Sequence, residues 1–191
     1  MLYGNAIVGQ SGGPTAAINA TLAGVIRGLF ECEYIKNAYA FNGVEGMLEE
    51  RMCDLRKVFD SEEKLVTLEN TPSSALGSCR MKLPALPPEG ERDEKYEQLF
   101  EIFKKYDIRY FFYIGGNDSM DTVAKLSAYA ARTDFPIRVM GVPKTIDNDV
   151  AGTDHTPGYG SAAKYIAASM QEILRDCAVY TVRAVTIVEI M

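Results

Sequence analysis

Apolar residues fall in two rhythms along this chain, and glycine or proline marks most of the joins between them. Short continuous apolar runs read as strands at residues 5–9, 35–41, 110–114 and 137–142, the last of them a buried central strand. Residues 183–190 read as a further strand. Between the runs, apolar residues recur at helical spacing over residues 15–30, 92–106, 119–131 and 161–176. The first of these helices places Ile18, Leu22, Val25 and Leu29 on one face, at spacings of four, three and four. The second is charged, with Tyr96, Leu99, Phe100 and Phe103 as its apolar stripe. Strands alternating with helices predict a parallel sheet wrapped by helices. Asn42-Gly43 reads as a turn, and residues 84–91, with three prolines, as a surface loop. There is no solenoid period and no low-complexity tract.

Composition narrows the function classes. A chain of 191 residues, 47% of them hydrophobic, can bury a sizeable core. Its formal charge of −6 argues against sequence-independent nucleic-acid binding, which needs a net basic surface. Four widely spaced cysteines and a single histidine make a structural zinc site a poor expectation and fit reduced thiols in the cytosol. Residues 1–10 lack the basic start and apolar centre of a signal peptide. No apolar stretch approaches the ~20 residues that cross a bilayer. The expectation is a cytoplasmic protein with no membrane partner.

Three polar segments stand at strand ends, where open α/β sheets place ligands. The first is Gly9-Gln10-Ser11-Gly12-Gly13-Pro14, between a strand and a helix. Its glycines let backbone N–H groups approach a phosphate, beside the positive end of the following helix. It is neither a Walker A nor a G-x-G-x-x-G sequence, and alone it is equally consistent with an empty strand-to-helix turn. The second, Gly115-Gly116-Asn117-Asp118-Ser119, adds oxygen atoms suited to a hard cation; taken alone, Asp118 or Ser119 reads more simply as a helix N-cap. The third is Pro143-Lys144-Thr145-Ile146-Asp147-Asn148-Asp149. It offers an ammonium, a hydroxyl and carboxylates, with a solvated acidic turn as its plain alternative. Arg80, in Leu76-Gly77-Ser78-Cys79-Arg80, has a guanidinium fork that matches phosphate oxygens. His155 reads as a surface or hydrogen-bonded histidine.

In this order the segments resemble the N-terminal part of the phosphofructokinase family, and within it the diphosphate-dependent kind. The resemblance spans nearly all of the chain but only about half of a family member. It implies an α/β fold with an open, mostly parallel sheet and helices on both faces, a Rossmann-type N-terminal domain for donor binding and catalysis over residues 1–191. It also implies the roles. Asp147 would take the proton from the C1 hydroxyl of fructose 6-phosphate, with Lys144 and Thr145 as its catalytic companions and Thr145 also on the substrate side. Gly12, Gly13, Arg80, Gly116, Asp118 and Ser119 would bind the donor. Mg²⁺ would be the cofactor, with Asn117, Asp118 and Asp149 as its candidate ligands, although Asn117 departs from the acidic residue usual there.

Donor choice turns on two positions. Members that use ATP resemble Gly-Gly-Asp-Gly-Ser at the second loop, whereas this chain has Asp118 in place of the glycine. A carboxylate there would crowd and repel a nucleotide's α-phosphate, at a cost of several kcal/mol at an effective dielectric of ~20. Lys144 is the second marker, since bacterial ATP users carry glycine at that position. The reaction implied is transfer of a phosphoryl group from diphosphate to fructose 6-phosphate, a near-reversible glycolytic step in a homo-oligomer, dimer or tetramer. The alternatives are an ATP-dependent phosphofructokinase and, in another class, a non-catalytic regulatory subunit of a heteromeric enzyme. Residues 187–191 resemble the start of a Met-Gly-Arg substrate segment cut after Met191, so the sequence reads as partial and is expected to be inactive alone. Arg183 lies one position off the family's substrate-phosphate arginine and is given no role.

Overall fold

The computed structural model describes residues 1–88, 90–182 and 185–190. Five strands form one sheet in the order β3-β2-β1-β4-β5, parallel throughout except for β3. The chain begins with β1 (Gly4–Gln10), α1 (Ile18–Glu31), β2 (Ile35–Asn42) and α2 (Gly43–Leu48). Then come β3 (Met52–Asp54), α3 (Leu55–Val58), α4 (Glu62–Asn70) and α5 (Glu94–Lys105). It ends with β4 (Ile108–Gly115), α6 (Asn117–Arg132), β5 (Arg138–Pro143) and α7 (Tyr159–Ala178). No helix among the described residues is long and apolar enough to cross a membrane.

The predicted fold class holds. Central β1 is buried along its whole length because helices cover both faces of the sheet. Successive side chains of a strand point to opposite faces. Ile7 therefore meets Phe41, Phe111 and Tyr113 in one core, closed by α2, α5 and α6. Ala6 and Val8 meet Ala38, Ala40 and Ile114 in the other, closed by α1 and α4. Each large apolar side chain taken fully out of water contributes about 1.5–3 kcal/mol. Local signals set helix starts: the Asp93 carboxylate accepts from the amides of Lys95 and Tyr96 at 3.0 and 3.3 Å, and so begins α5.

Several expectations are corrected. Residues 137–142 do not form a central strand: among the described residues β5 pairs only with β4, and Met140 is 52% exposed. An apolar run signals the potential for burial, and burial needs a neighbour on each side. Residues 185–190 form no strand, and Val185 and Ile187 stand 90% and 89% exposed; a strand exists only through a paired ladder, and this segment pairs with none of the described strands. Arg183 and Met191 lie outside the described residues, so the substrate role expected of Met191 is not placed. Asn42-Gly43 is no isolated turn. It joins β2 directly to α2, with Gly43 at φ +59°. The strand β3 and the helices α2, α3 and α4 were not foreseen.

The topology prepares a site. From β1 the chain passes through α1 to β2 on one side, and it later returns to β4 on the other side of β1. Loops leaving the carboxyl ends of β1 and β4 thus diverge, and the crevice between them is where such sheets bind ligands.

Candidate active site

The two diverging loops are tied together at their base. Ser11 donates its amide to the Ile114 carbonyl at 3.0 Å, and the Ser11 and Ser119 hydroxyls are 2.5 Å apart, both residues buried. Gly12 takes φ +78°, a conformation that favours glycine. Its amide donates to the Cys79 carbonyl at 3.4 Å, and its own carbonyl accepts from the Ser78 hydroxyl. A β-carbon built at Gly13 would meet no atom within 4 Å, so that glycine faces open space. Across the crevice, α6 begins after Gly116 with no side chain capping it. Neither Asp118 nor Ser119 is the N-cap. The uncapped first-turn amides and the helix dipole favour an anion there.

The segment bearing Arg80 is held by residues that the sequence did not single out. Gln10, fully buried at the end of β1, donates to the Ile18 carbonyl at 3.2 Å and to the Asn19 side-chain oxygen at 3.1 Å. Its own side-chain oxygen accepts from the Ser74 hydroxyl and the Leu76 amide, each at 2.9 Å. Asn19 in turn grips the Thr71 carbonyl and the Ala75 amide, each at 2.9 Å. Arg80 itself is exposed and has no ion pair among the described residues. It leans toward the cavity as a cation available to a ligand.

The third segment continues the sheet's own pairing. The Lys144 amide donates to the Gly115 carbonyl at 2.9 Å, which lays the segment beside the second loop. The Lys144 ammonium is buried and donates to the Gly13 carbonyl, bridging to the first loop. Burial pulls its pKa below the usual lysine value, and the nearby Asp147 carboxylate opposes that pull. Asp147 is exposed to the cavity, and its amide donates to the Thr145 hydroxyl at 3.0 Å. Asn148, at φ +55°, turns the chain back. Its amide group donates to the Asp154 carbonyl and accepts from the Thr156 amide, each at 3.0 Å. The Thr156 hydroxyl then donates to the Thr145 carbonyl at 2.8 Å. A loop pinned at so many points presents Asp147 in one place.

Together these segments enclose a cavity of about 710 Å³. It gathers Gly12, Gly13, Arg80, Gly116, Asn117, Asp118, Ser119, Lys144, Thr145 and Asp147. Asp149 is outside the lining but accepts from the Asn117 side-chain amide at 3.0 Å. Asp118 is paired with Lys82 at 2.8 Å. Among the described residues no three His, Cys, Asp or Glu side chains gather as a metal cage. Two more polar groups went unforeseen: Thr15 lines the cavity with a buried hydroxyl that has no partner among the described residues, and Lys82 lines its rim. His155 is exposed and lies beside Tyr159. A larger hollow, about 890 Å³, lies at the other end of β4. Its three arginines are already engaged, Arg92 with Glu97, Arg109 with Asp107 and the Pro136 carbonyl, and Arg132 with the Pro87 carbonyl. The smaller cavity is therefore the candidate site.

Known proteins resemble this chain in sequence and in fold. The sequence model of the phosphofructokinase family matches residues 5–191. A pyrophosphate–fructose 6-phosphate 1-phosphotransferase of Xanthomonas campestris is 49% identical over 179 residues, which is 93% of this chain and 41% of that protein. A crystal structure of a pyrophosphate-dependent phosphofructokinase from Nitrosospira multiformis superposes with a TM-score of 0.83 at 45% identity, covering 91% of this chain and 42% of that one. An ATP-dependent 6-phosphofructokinase of Erwinia tasmaniensis is 32% identical, over 95% of this chain and 50% of its own length. The chain thus spans under half the length of the pyrophosphate-dependent relatives it matches. It belongs to the phosphofructokinase family.

Proposed function

We propose that the protein acts as a diphosphate–fructose-6-phosphate 1-phosphotransferase, moving a phosphoryl group from diphosphate to the C1 hydroxyl of D-fructose 6-phosphate. The observation that carries this reading is the cavity itself. It sets the Lys144 ammonium, the Arg80 guanidinium and the start of α6 around one polyanion-sized space, with the Asp147 carboxylate at its edge. Phosphoryl transfer asks for positioning, neutralisation of charge and a base. The C1 oxygen attacks a phosphorus of diphosphate while Asp147 takes the hydroxyl proton. The bond to the bridging oxygen breaks, and orthophosphate leaves with its charge facing Lys144. Lys144 and Asp118 beside the same cavity favour diphosphate over a nucleotide.

Mg²⁺ fits the donor set. That ion takes oxygen ligands and is usually held by one or two carboxylates together with substrate phosphates and waters, so a three-carboxylate cage is not required. Of the expected ligands, the Asp149 carboxylate and the side-chain oxygen of Asn117, whose amide donates to it, would hold the ion, whereas Asp118 is paired with Lys82 instead. When bound, the ion would neutralise charge on the transferring phosphoryl group.

Initial rates of the full-length enzyme with fructose 6-phosphate, with either diphosphate or ATP as donor, test the proposal. Turnover with diphosphate and little with ATP is the expected result. A preference for ATP overturns it, and inactivity with both donors until a second subunit is added would place the chain in a regulatory role.

A further inference from the structure

We propose that Lys82 is a donor-selectivity residue: with Asp118 it forms a neutral bar across the rim of the donor cavity. The inference rests on the diphosphate reading and revises its electrostatics. An unpaired carboxylate at position 118 would repel diphosphate as well as ATP, because both are polyanions. Repulsion alone therefore cannot tell the two donors apart. The two ligands differ in the nucleoside, which needs room beyond the phosphates.

The structure shows the acid paired. The Lys82 ammonium lies 2.8 Å from the Asp118 carboxylate, and both side chains line the cavity while remaining 66% and 70% exposed. Such exposure puts the pair at the rim. It joins the segment that carries Arg80 to the first turn of α6, so two opposing walls are linked there. Pairing removes the net charge and leaves the bulk. A small polyanion can lie inward of the bar against Arg80 and Lys144, whereas a nucleoside would have to displace it.

Exposed ion pairs usually gain little, because two long side chains must be held in one geometry. Here the backbone on either side of Lys82 is fixed. The Met81 amide donates to the Cys79 sulfur at 3.2 Å, and Leu83 is buried at 3% exposure. The Leu83 carbonyl also accepts from the Lys125 ammonium at 3.2 Å. What is left to order is the Lys82 side chain and the short side chain of Asp118. Selectivity is a difference of affinities, so a modest obstacle to one ligand suffices.

The test compares kcat/KM for diphosphate and for ATP in the full-length enzyme and in its Lys82→Met, Lys82→Arg and Asp118→Gly variants. Lys82→Met keeps most of the stem but breaks the pair, and should raise the ATP-to-diphosphate ratio about tenfold, with a higher KM for diphosphate. Lys82→Arg should restore the ratio, a rescue that a merely structural lysine would not require. If Asp118→Gly shifts the ratio while Lys82→Met leaves it within about twofold, Lys82 has no part in selection, although the diphosphate reading stands. If the unaltered enzyme prefers ATP, both readings fall together.

Discussion

Helices α1 and α7 both follow glycine-bearing loops, and both repeat apolar residues at helical spacing. In α1, Ile18, Leu22, Ile26 and Leu29 are buried against the sheet. In α7 no residue is buried, and Tyr165 and Leu174 are 73% and 63% exposed. Amphipathic periodicity suffices for a helix to form, but burial requires a facing surface. The packed part of the molecule therefore extends through β5 and the loop that returns to Gly158, and the candidate cavity lies wholly within it. Beyond that point apolar groups stand without cover among the described residues.

If this contrast is right, changes in the packed part should cost activity or stability, and changes on α7 should cost neither. The largest effect is expected from Asp147→Asn, which removes the base. It should lower kcat in the full-length enzyme by about 10²–10⁴ with an unchanged unfolding midpoint. A matching loss of stability would make Asp147 a structural residue instead. Lys144→Met should follow, lowering kcat/KM for diphosphate by about 10²–10³. Lys144 also gives a pH signature. Binding needs the ammonium, and burial lowers its pKa, so affinity for diphosphate should fall on the alkaline side before the ordinary lysine value of 10.5 is reached. Lys144→Arg, which keeps its charge, should push that limb upward.

Gly43→Ala comes next. A β-carbon at Gly43 would sit 2.0 Å from the Cys79 β-carbon, on a backbone with φ +59°. A loss of about 3 kcal/mol in urea unfolding is expected. Gln10→Ala should remove about 1–3 kcal/mol by leaving buried partners unsatisfied. Calorimetry showing no loss would mean that the segment bearing Arg80 is held by other contacts. The smallest effect belongs to Leu174→Gln on α7, expected to change stability by no more than about 0.5 kcal/mol. Sedimentation should show reduced self-association of this chain, since the change removes exposed apolar surface.

Much of this was legible in the sequence. Strands β1, β2 and β4 and helices α5 and α6 fall within about two residues of their predicted ends. Three short polar segments at strand ends supplied most of the cavity. What escaped reading has physical causes. The β3 ladder is only three residues long and α4 buries only Leu65 and Leu68, too little to leave a periodic signal. Residues 137–142 look central because hydrophobicity records what a strand can bury, whereas position in a sheet depends on pairing. Lys82, in a loop near prolines, looks like any surface lysine until the fold brings α6 alongside. Gln10, at the end of β1, read only as part of the first loop, and Asn19, at the head of α1, is an ordinary polar residue until its partners are known.

The Gln10 side chain has one further consequence. A primary amide has two N–H groups and two lone pairs, and here each meets a partner, in α1, in Asn19 or in the stretch leading to Arg80. Glutamate, though nearly the same shape, would keep the acceptors, lose the donors and bring a buried charge. The guanidinium is thus mounted on a scaffold that is set before any anion arrives, so binding there should proceed without a slow ordering of that stretch.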